Sequence, residues 1–112
     1  MKLNQVKEIL SAQIFCDEAL MEREVASAFA CDLMSDVLAF VSDQPLLLSG
    51  LINPQVVRTA EMMDMKAIVF VRGKTPTAEI VELASEANIA IMSTELTMYN
   101  ACGLLYQNGL RG

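Results

Sequence analysis

The sequence contains no histidine. Without an imidazole the chain has no Ser-His-Asp or Cys-His catalytic system, no histidine metal cluster and no near-neutral imidazole base. Acid or base catalysis would have to use a carboxylate, a cysteine or a lysine. This one absence therefore excludes more enzyme classes than any other feature of the chain.

Basic residues are scarce, with eight Lys and Arg against fourteen Asp and Glu, and the net charge is −6. Because phosphate backbones are bound by clustered Lys and Arg, we expect no nucleic-acid partner. No apolar run approaches the roughly 20 residues of a membrane span. The first ten residues lack the apolar core of a signal peptide, so we expect a cytoplasmic protein with no membrane partner.

The chain has three cysteines, and no two of them have C-x-x-C spacing. An odd number without that spacing is typical of neither a disulfide framework nor a zinc site. Cys16, Cys31 and Cys102 each stand beside apolar residues, so we expect small core side chains in a reducing compartment. No resident metal or cofactor is expected.

Complete glycine-rich phosphate motifs are also missing. Gly73-Lys74-Thr75 resembles the end of a P-loop, but the leading glycine would have to be residue 68, which is Ile68 in an apolar run. No G-x-G-x-x-G occurs either. These patterns exclude a P-loop kinase and the dinucleotide fingerprint, and they favour a non-enzymatic protein.

What the chain does contain is an alternation of apolar runs and helical periodicities, which predicts one domain over residues 1–112. Its centre is a βαβ unit, because apolar strands at 46–48 and 67–71 flank a helix that begins at Asn53 and Pro54. The other predicted strands are 13–16, 24–31 and 89–92, the second of them covered on both faces. The other predicted helices are 4–11, 33–41, one capped by Thr75 or Thr77, and 95–107. This order predicts an α/β sandwich of two or three layers with a largely parallel sheet.

Polar residues follow the predicted parallel strands, and ligands of such sheets sit outside the carboxyl ends of the strands. The candidate ligand-binding residues are Ser49, Gly50, Asn53, Arg72, Gly73, Lys74, Ser93 and Thr94. Hydroxyls, helix N–H groups and two cations suit a small anion such as a nucleotide or phosphate. The alternative is that these are ordinary caps and turn residues.

A second candidate is acidic and lies around the start of the predicted helix 33–41. Asp32, Ser35 and Asp36 could bind Mg²⁺ or provide acid–base groups. The alternative interpretation is that the carboxylates favour the positive end of the helix, with Asp32 as its cap.

The hydrophobic fraction of 54% is high for a domain of this size, which predicts a homodimer. Met62 and Met65 are expected to form contact surface beside Arg58. The last helix has two apolar stripes, Met98, Ala101, Cys102 and Leu105 on one side and Tyr99, Gly103 and Tyr106 on the other. The second stripe would pack on the N-terminal segment or on a partner subunit.

Three segments together, 30–40, 46–76 and 93–110, resemble the DRTGG domain family. The resemblance implies the fold of the N-terminal domain of HPr kinase/phosphorylase, whose kinase activity resides in a separate P-loop domain. Such domains occur beside CBS domains, in some phosphotransacetylases and as free-standing proteins near hydrogenase and electron-transfer components. The resemblance also implies that the chain is a non-enzymatic regulatory or ligand-sensing domain, which binds a small anionic metabolite or nucleotide. The alternative is an interaction module that docks on a metabolic or electron-transfer enzyme.

Overall fold

The computed structural model describes all 112 residues and is built around a five-stranded sheet. The strands are β1 (Gln13–Ile14), β2 (Ala28–Ala30), β3 (Leu46–Ser49), β4 (Ala67–Phe70) and β5 (Ala90–Ser93). The α-helices are α1 (Leu3–Leu10), α2 (Met34–Phe40), α3 (Pro54–Met62), α4 (Ala78–Glu86) and α5 (Met98–Gln107), with a 3₁₀ helix at Glu18–Glu22. The strand order is β1-β5-β4-β3-β2, and only β1 runs antiparallel. The predicted α/β fold with a largely parallel sheet is confirmed.

The molecule has three layers, because each face of the sheet carries its own helices and its own apolar core. Leu46 and Leu48 of β3 pack with α1 and α5, whereas Leu47 between them packs with α2, α3 and α4. Every residue of β3, β4 and β5 is buried. Continuous apolar runs are therefore the expected pattern for these central parallel strands.

Strand β2 differs from its prediction. It is an edge strand of three residues whose side chains are half-buried or exposed, and it is not covered on both faces. Part of its outer edge is occupied by the C-terminal segment, since the Ala28 N–H donates to the Arg111 carbonyl at 3.0 Å. Alternating Ala and Phe residues fit an edge as well as a centre, so the pattern could not decide between them.

Side-chain caps fix where three of the helices begin. The side chain of Asn53 accepts a bond from the Gln55 N–H, as predicted, and Thr77 rather than Thr75 caps α4. Thr97 caps α5, which therefore begins at Met98 and not near residue 95. The glutamates predicted for the solvent face of α4 are all exposed: Glu79, Glu82 and Glu86.

Two predictions about helix faces are wrong. Met65 was expected on the outer surface but is buried, because α3 ends at Met62 and the chain reverses at Asp64, where φ is 57°. The Met65 N–H then bonds the Ala60 carbonyl and returns the side chain to the core. Leu38 was expected inside but is exposed, since the seven-residue α2 buries only Met34 and Val37.

The cysteines are half-buried rather than fully buried, and all three are free thiols. Each packs at the margin of an apolar core. Burial raises the pKa of Cys16 and of Cys102 above the ordinary value of 9.0. No helix of the structure is both long enough and apolar enough to cross a membrane.

Candidate functional site

The register of the sheet places the ends of the central strands in one row. Ser49 of β3 pairs with Phe70 of β4, and Phe70 pairs with Ser93 of β5. The segments that follow these residues therefore emerge side by side at the carboxyl edge of the sheet. The structure thus brings most of the predicted ligand residues to one edge.

The turn after β4 is tight and is held in place from both sides. Arg72 and Gly73 both have positive φ, 60° and 68°, and the Lys74 N–H returns to the Val71 carbonyl at 3.3 Å. Successive left-handed residues of this kind are typical of a type I′ turn. The Arg72 N–H donates to the Leu96 carbonyl at 2.8 Å, and Gly73 bonds the same β5–α5 segment. The turn is therefore braced against the start of α5.

A carboxylate two residues after the end of β2 completes this edge. Asp32 Oδ1 accepts the Gly50 N–H at 2.7 Å and the Ser49 hydroxyl at 3.2 Å. Asp32 does not cap α2 as predicted, because the N-cap residue of α2 is Leu33 and no side chain bonds there. Asp32 instead joins the end of β2 to the end of β3.

Arg72 lies above this carboxylate and makes only a weak contact with it. Its Nη2 is 3.7 Å from Asp32 Oδ2, too far for a hydrogen bond, and both side chains are half-exposed. An exposed pair of this kind contributes about 0–1 kcal/mol. The guanidinium makes no hydrogen bond inside the protein, so its five N–H donors remain available.

The absence of a side chain at Gly50 leaves room for this arginine in its present position. A Cβ on Gly50 would collide with the Arg72 guanidinium, which lies directly over the backbone. A Cβ on Gly73 would come within 2.7 Å of a Glu95 carboxylate oxygen, and the positive φ there also disfavours a side chain. Asp32 thus lies beside Arg72, and Glu95 lies beside the next residue of the turn.

The other predicted ligand residues differ in how accessible they are. The Ser93 hydroxyl donates to the Lys74 carbonyl, and the Thr94 hydroxyl donates to the Leu10 carbonyl, each at 2.7 Å. Both residues are buried, so these hydroxyls stabilise the edge through hydrogen bonds to the backbone and are not accessible to a ligand. Asn53 and Lys74 are exposed; the Asn53 side-chain oxygen caps α3, whereas the Lys74 ammonium forms no ion pair.

The second predicted cluster does not form a unit. Asp32 contacts the β3 and β4 ends, Asp36 has the Cys31 sulfur at 4.0 Å, and the Ser35 hydroxyl makes no hydrogen bond. The structure contains no group of three or more side chains arranged to hold a metal ion. Sequence reasoning missed the role of Asp32 at the edge, although its position two residues after a strand end matched the other edge residues.

No protein-family model and no curated protein sequence matches this chain. Among the solved structures that are similar to this chain, one matches with a TM-score of 0.79 and 22% sequence identity. It is the crystal structure of the CBS and DRTGG domains of the regulatory region of Clostridium perfringens pyrophosphatase, complexed with its activator diadenosine tetraphosphate. The match covers 95% of this chain and 46% of that chain, so this chain spans less than half of that structure. At this identity the likeness shows a DRTGG-like fold.

Proposed function

We propose that this chain is a non-enzymatic regulatory or ligand-sensing domain that binds a small anionic metabolite or nucleotide at the carboxyl edge of the sheet. The observation that carries the proposal is the exposure and the lack of hydrogen bonds of the Arg72 guanidinium. This guanidinium is half-exposed, has no hydrogen-bond acceptor in the protein, and lies on a turn fixed by two backbone hydrogen bonds. A rigid backbone with an uncommitted cation is suited to bind an anion with little loss of conformational entropy.

The charges around Arg72 favour a phosphate over a single carboxylate. Asp32 and Glu95 lie close by, so a weakly charged ligand would gain little in competition with them. A phosphate accepts two parallel N–H bonds from one guanidinium as a carboxylate does, and its larger negative charge makes it the stronger competitor for Arg72. Lys74 stands two residues further along the same turn and could approach a second phosphate.

The similar regulatory region supports the same class of ligand. That region was crystallised with its activator, diadenosine tetraphosphate, which is an anionic nucleotide. A shared fold is compatible with a shared kind of role, but sites are specific to each sequence. For this chain the proposal therefore names the class of ligand, with Arg72, Gly73, Lys74, Gly50 and Asn53 around it.

A thermal-shift screen tests the proposal, because a ligand that binds only the folded state must raise the melting temperature. The compounds are ATP, diadenosine tetraphosphate, acyl phosphates and CoA esters, with adenosine as the uncharged control. At a hundred times the dissociation constant a ligand adds about 2.7 kcal/mol, which raises Tm by roughly 10 °C in a domain of this size. No shift with any anion at millimolar concentration would contradict the proposal.

An alternative function is an interaction module that docks on a metabolic or electron-transfer enzyme. The observation that favours it is a set of exposed large apolar side chains: Leu33, Leu38, Phe40, Met62, Tyr99 and Tyr106. Neighbouring exposed apolar side chains mark contact surfaces more often than scattered single ones do, and Leu33, Leu38 and Phe40 lie close together in the sequence around α2. We include a homodimer in the proposal on the same ground. An anion screen without any hit would favour this alternative.

A further inference from the structure

We infer that two copies of the chain associate through the outer side of α5 and the adjacent edge of β2, here called the α5–β2 face. It consists of Tyr99, Cys102, Gly103 and Tyr106 on α5, with Ala30 of β2 and Phe40 of α2. The assignment rests on the proposed homodimer and is independent of the ligand site. Three properties of this face, its charge, its area and its packing, favour a second copy of the chain as the molecule that covers it.

The first reason is that the outer side of α5 itself carries no charge; the nearest cation is Arg111 beyond the end of the helix, whose guanidinium carbon lies 4.4 Å from the centre of the Tyr106 ring. Residues 96–110 contain no Asp, Glu, Lys or Arg, although one residue in five of the whole chain is charged. Tyr99 is 87% exposed and Tyr106 is 56% exposed. Buried centres of interfaces are depleted of charged residues and enriched in tyrosine, and this surface has both properties.

The net charge of the chain favours a second copy over a basic partner. Two molecules of charge −6 repel each other wherever acidic surfaces meet. A neutral face is the place where they can meet with least repulsion, whereas a basic protein would be attracted to acidic surface such as the row of glutamates on α4. The face is therefore suited to its own copy.

The second reason is area. A ten-residue helix is only about 15 Å long, which is too short for the roughly 800 Å² per partner of a stable interface. The surface can extend on one side, because Cys102 and Tyr106 line a shared apolar depression with Ala28 and Ala30 of β2. Ala28 in turn lines the neighbouring depression with Phe40. The surface thus continues from α5 across the sheet edge to α2, with Arg111 at the first depression and Ser42 and Asp43 at the second.

The third reason is Gly103. It lies in the middle of α5 and is exposed, and a Cβ added there would meet nothing within 4 Å. The single chain therefore gives no steric reason for a residue that weakens a helix. Shallow grooves run on both sides of it, each bordered by Tyr99 and Gln107. A tyrosine of a second copy could enter such a groove, and two-fold symmetry would repeat the contact.

The inner stripe of α5 does not compete for this role. Ala101 and Leu105 are buried in the core shared with α1, and Met98 and Cys102 pack at its margin. The N-terminal segment therefore covers the inner side of α5 and not the tyrosines; Tyr99 is largely exposed, and Tyr106 has only the Arg111 guanidinium over its ring. Of the two coverings considered for the second stripe, only another molecule remains.

Sedimentation velocity from 2 to 200 µM tests the assignment. We expect the unmodified protein to sediment at twice the monomer mass of 12.3 kDa. Tyr106→Glu and Gly103→Arg should each weaken dimerisation at least tenfold, since one inserts a charge and the other fills the groove. Met62→Glu is the matched control, because Met62 is 73% exposed but lies on α3, across the sheet from α5, and its variant should stay dimeric.

Each result has a distinct meaning, provided that circular dichroism shows every variant to be folded. A monomer at all concentrations would overturn the homodimer and leave the face to a different protein. A dimer that resists both α5 variants but is dissociated by Met62→Glu would overturn the face and retain the homodimer. Arg72→Ala should remain dimeric, so a failed ligand screen would not affect the outcome.

Discussion

Arg72 adopts a left-handed backbone conformation, with φ at 60°, in a region where side chains other than glycine are uncommon. The conformation is imposed by the hydrogen bond from its N–H to the Leu96 carbonyl and by the following glycine. Local preference alone would place Gly or Asn there. An arginine with uncommitted donors at such a position is what the proposed anion site requires.

The two glycines beside Arg72 should respond differently to alanine. Gly50 does not have positive φ, so Gly50→Ala requires only that the flexible end of Arg72 move, and stability should change by less than about 0.5 kcal/mol. Gly73→Ala places a side chain at φ 68° against Glu95 and should destabilise by about 1 kcal/mol or more. Urea denaturation of both variants measures the difference. Equal losses of stability would contradict this description of the turn.

The half-buried thiols predict a pH dependence. Burial raises the pKa of Cys16 and Cys102 above 9.0, so the folded chain retains protons that the unfolded chain releases. Their contribution to stability is therefore complete below about pH 9 and is lost as the pH rises through the folded pKa. The measurement is the urea midpoint from pH 7 to 10.5, compared with a Cys16→Ala, Cys102→Ala double variant. That variant should show the shallower alkaline decline, and identical slopes would contradict the prediction.

At the residue scale, position after a strand was the useful sequence signal. It located Gly50, Arg72 and Gly73 correctly at one edge of the sheet. It could not show that the Ser93 and Thr94 hydroxyls bond backbone carbonyls, since the acceptor of Thr94 is 84 residues away in the chain. For Asp32 the sequence offered a nearby helix start, and the actual partners lie 17 and 18 residues further along. Local capping rules cannot detect such distant competitors.

At the scale of elements, one buried hydroxyl links α1 to the functional edge. Thr94 donates to the Leu10 carbonyl and accepts the Leu96 N–H. Thr94→Val keeps the shape but leaves a buried carbonyl without its donor, so we expect a loss of about 1–3 kcal/mol. Thr75→Val is the control, because Thr75 is exposed and its hydroxyl makes no hydrogen bond. Equal urea midpoints for the two variants would show that the link is not important for stability.

Element prediction succeeded where burial is uniform and failed at the margins of the fold. The apolar runs of β3, β4 and β5 could only be central parallel strands, since both of their faces are covered. β2 and α2 lie at the sheet edge, where half of each element faces solvent and alternation carries little information. The prediction that Met65 is exposed was wrong because helical spacing was extended past the end of α3.

At the scale of the whole molecule, the fold does not allow Gly73-Lys74-Thr75 to be the end of a kinase phosphate loop. The residue at the leading position of that loop, Ile68, is fully buried within β4 and pairs with strands on both sides. We therefore expect the purified protein to transfer no phosphate from ATP to protein substrates. Radiolabelled ATP and a no-enzyme control measure this. Transfer clearly above the control would require a catalytic site elsewhere.

The central claim is that Arg72 provides the main charge of an anion site, and isothermal titration calorimetry tests it most directly. The probes are diadenosine tetraphosphate and ATP, and the proteins are the unmodified chain, Arg72→Ala and Arg58→Ala. Arg58 is an exposed cation on α3 without an ion pair, so it controls for net charge. A charge-assisted contact is worth about 1.5–3 kcal/mol, so Arg72→Ala should bind more than tenfold more weakly while Arg58→Ala binds as the unmodified chain does. Equal weakening by both variants, or binding unaffected by either, would contradict the claim.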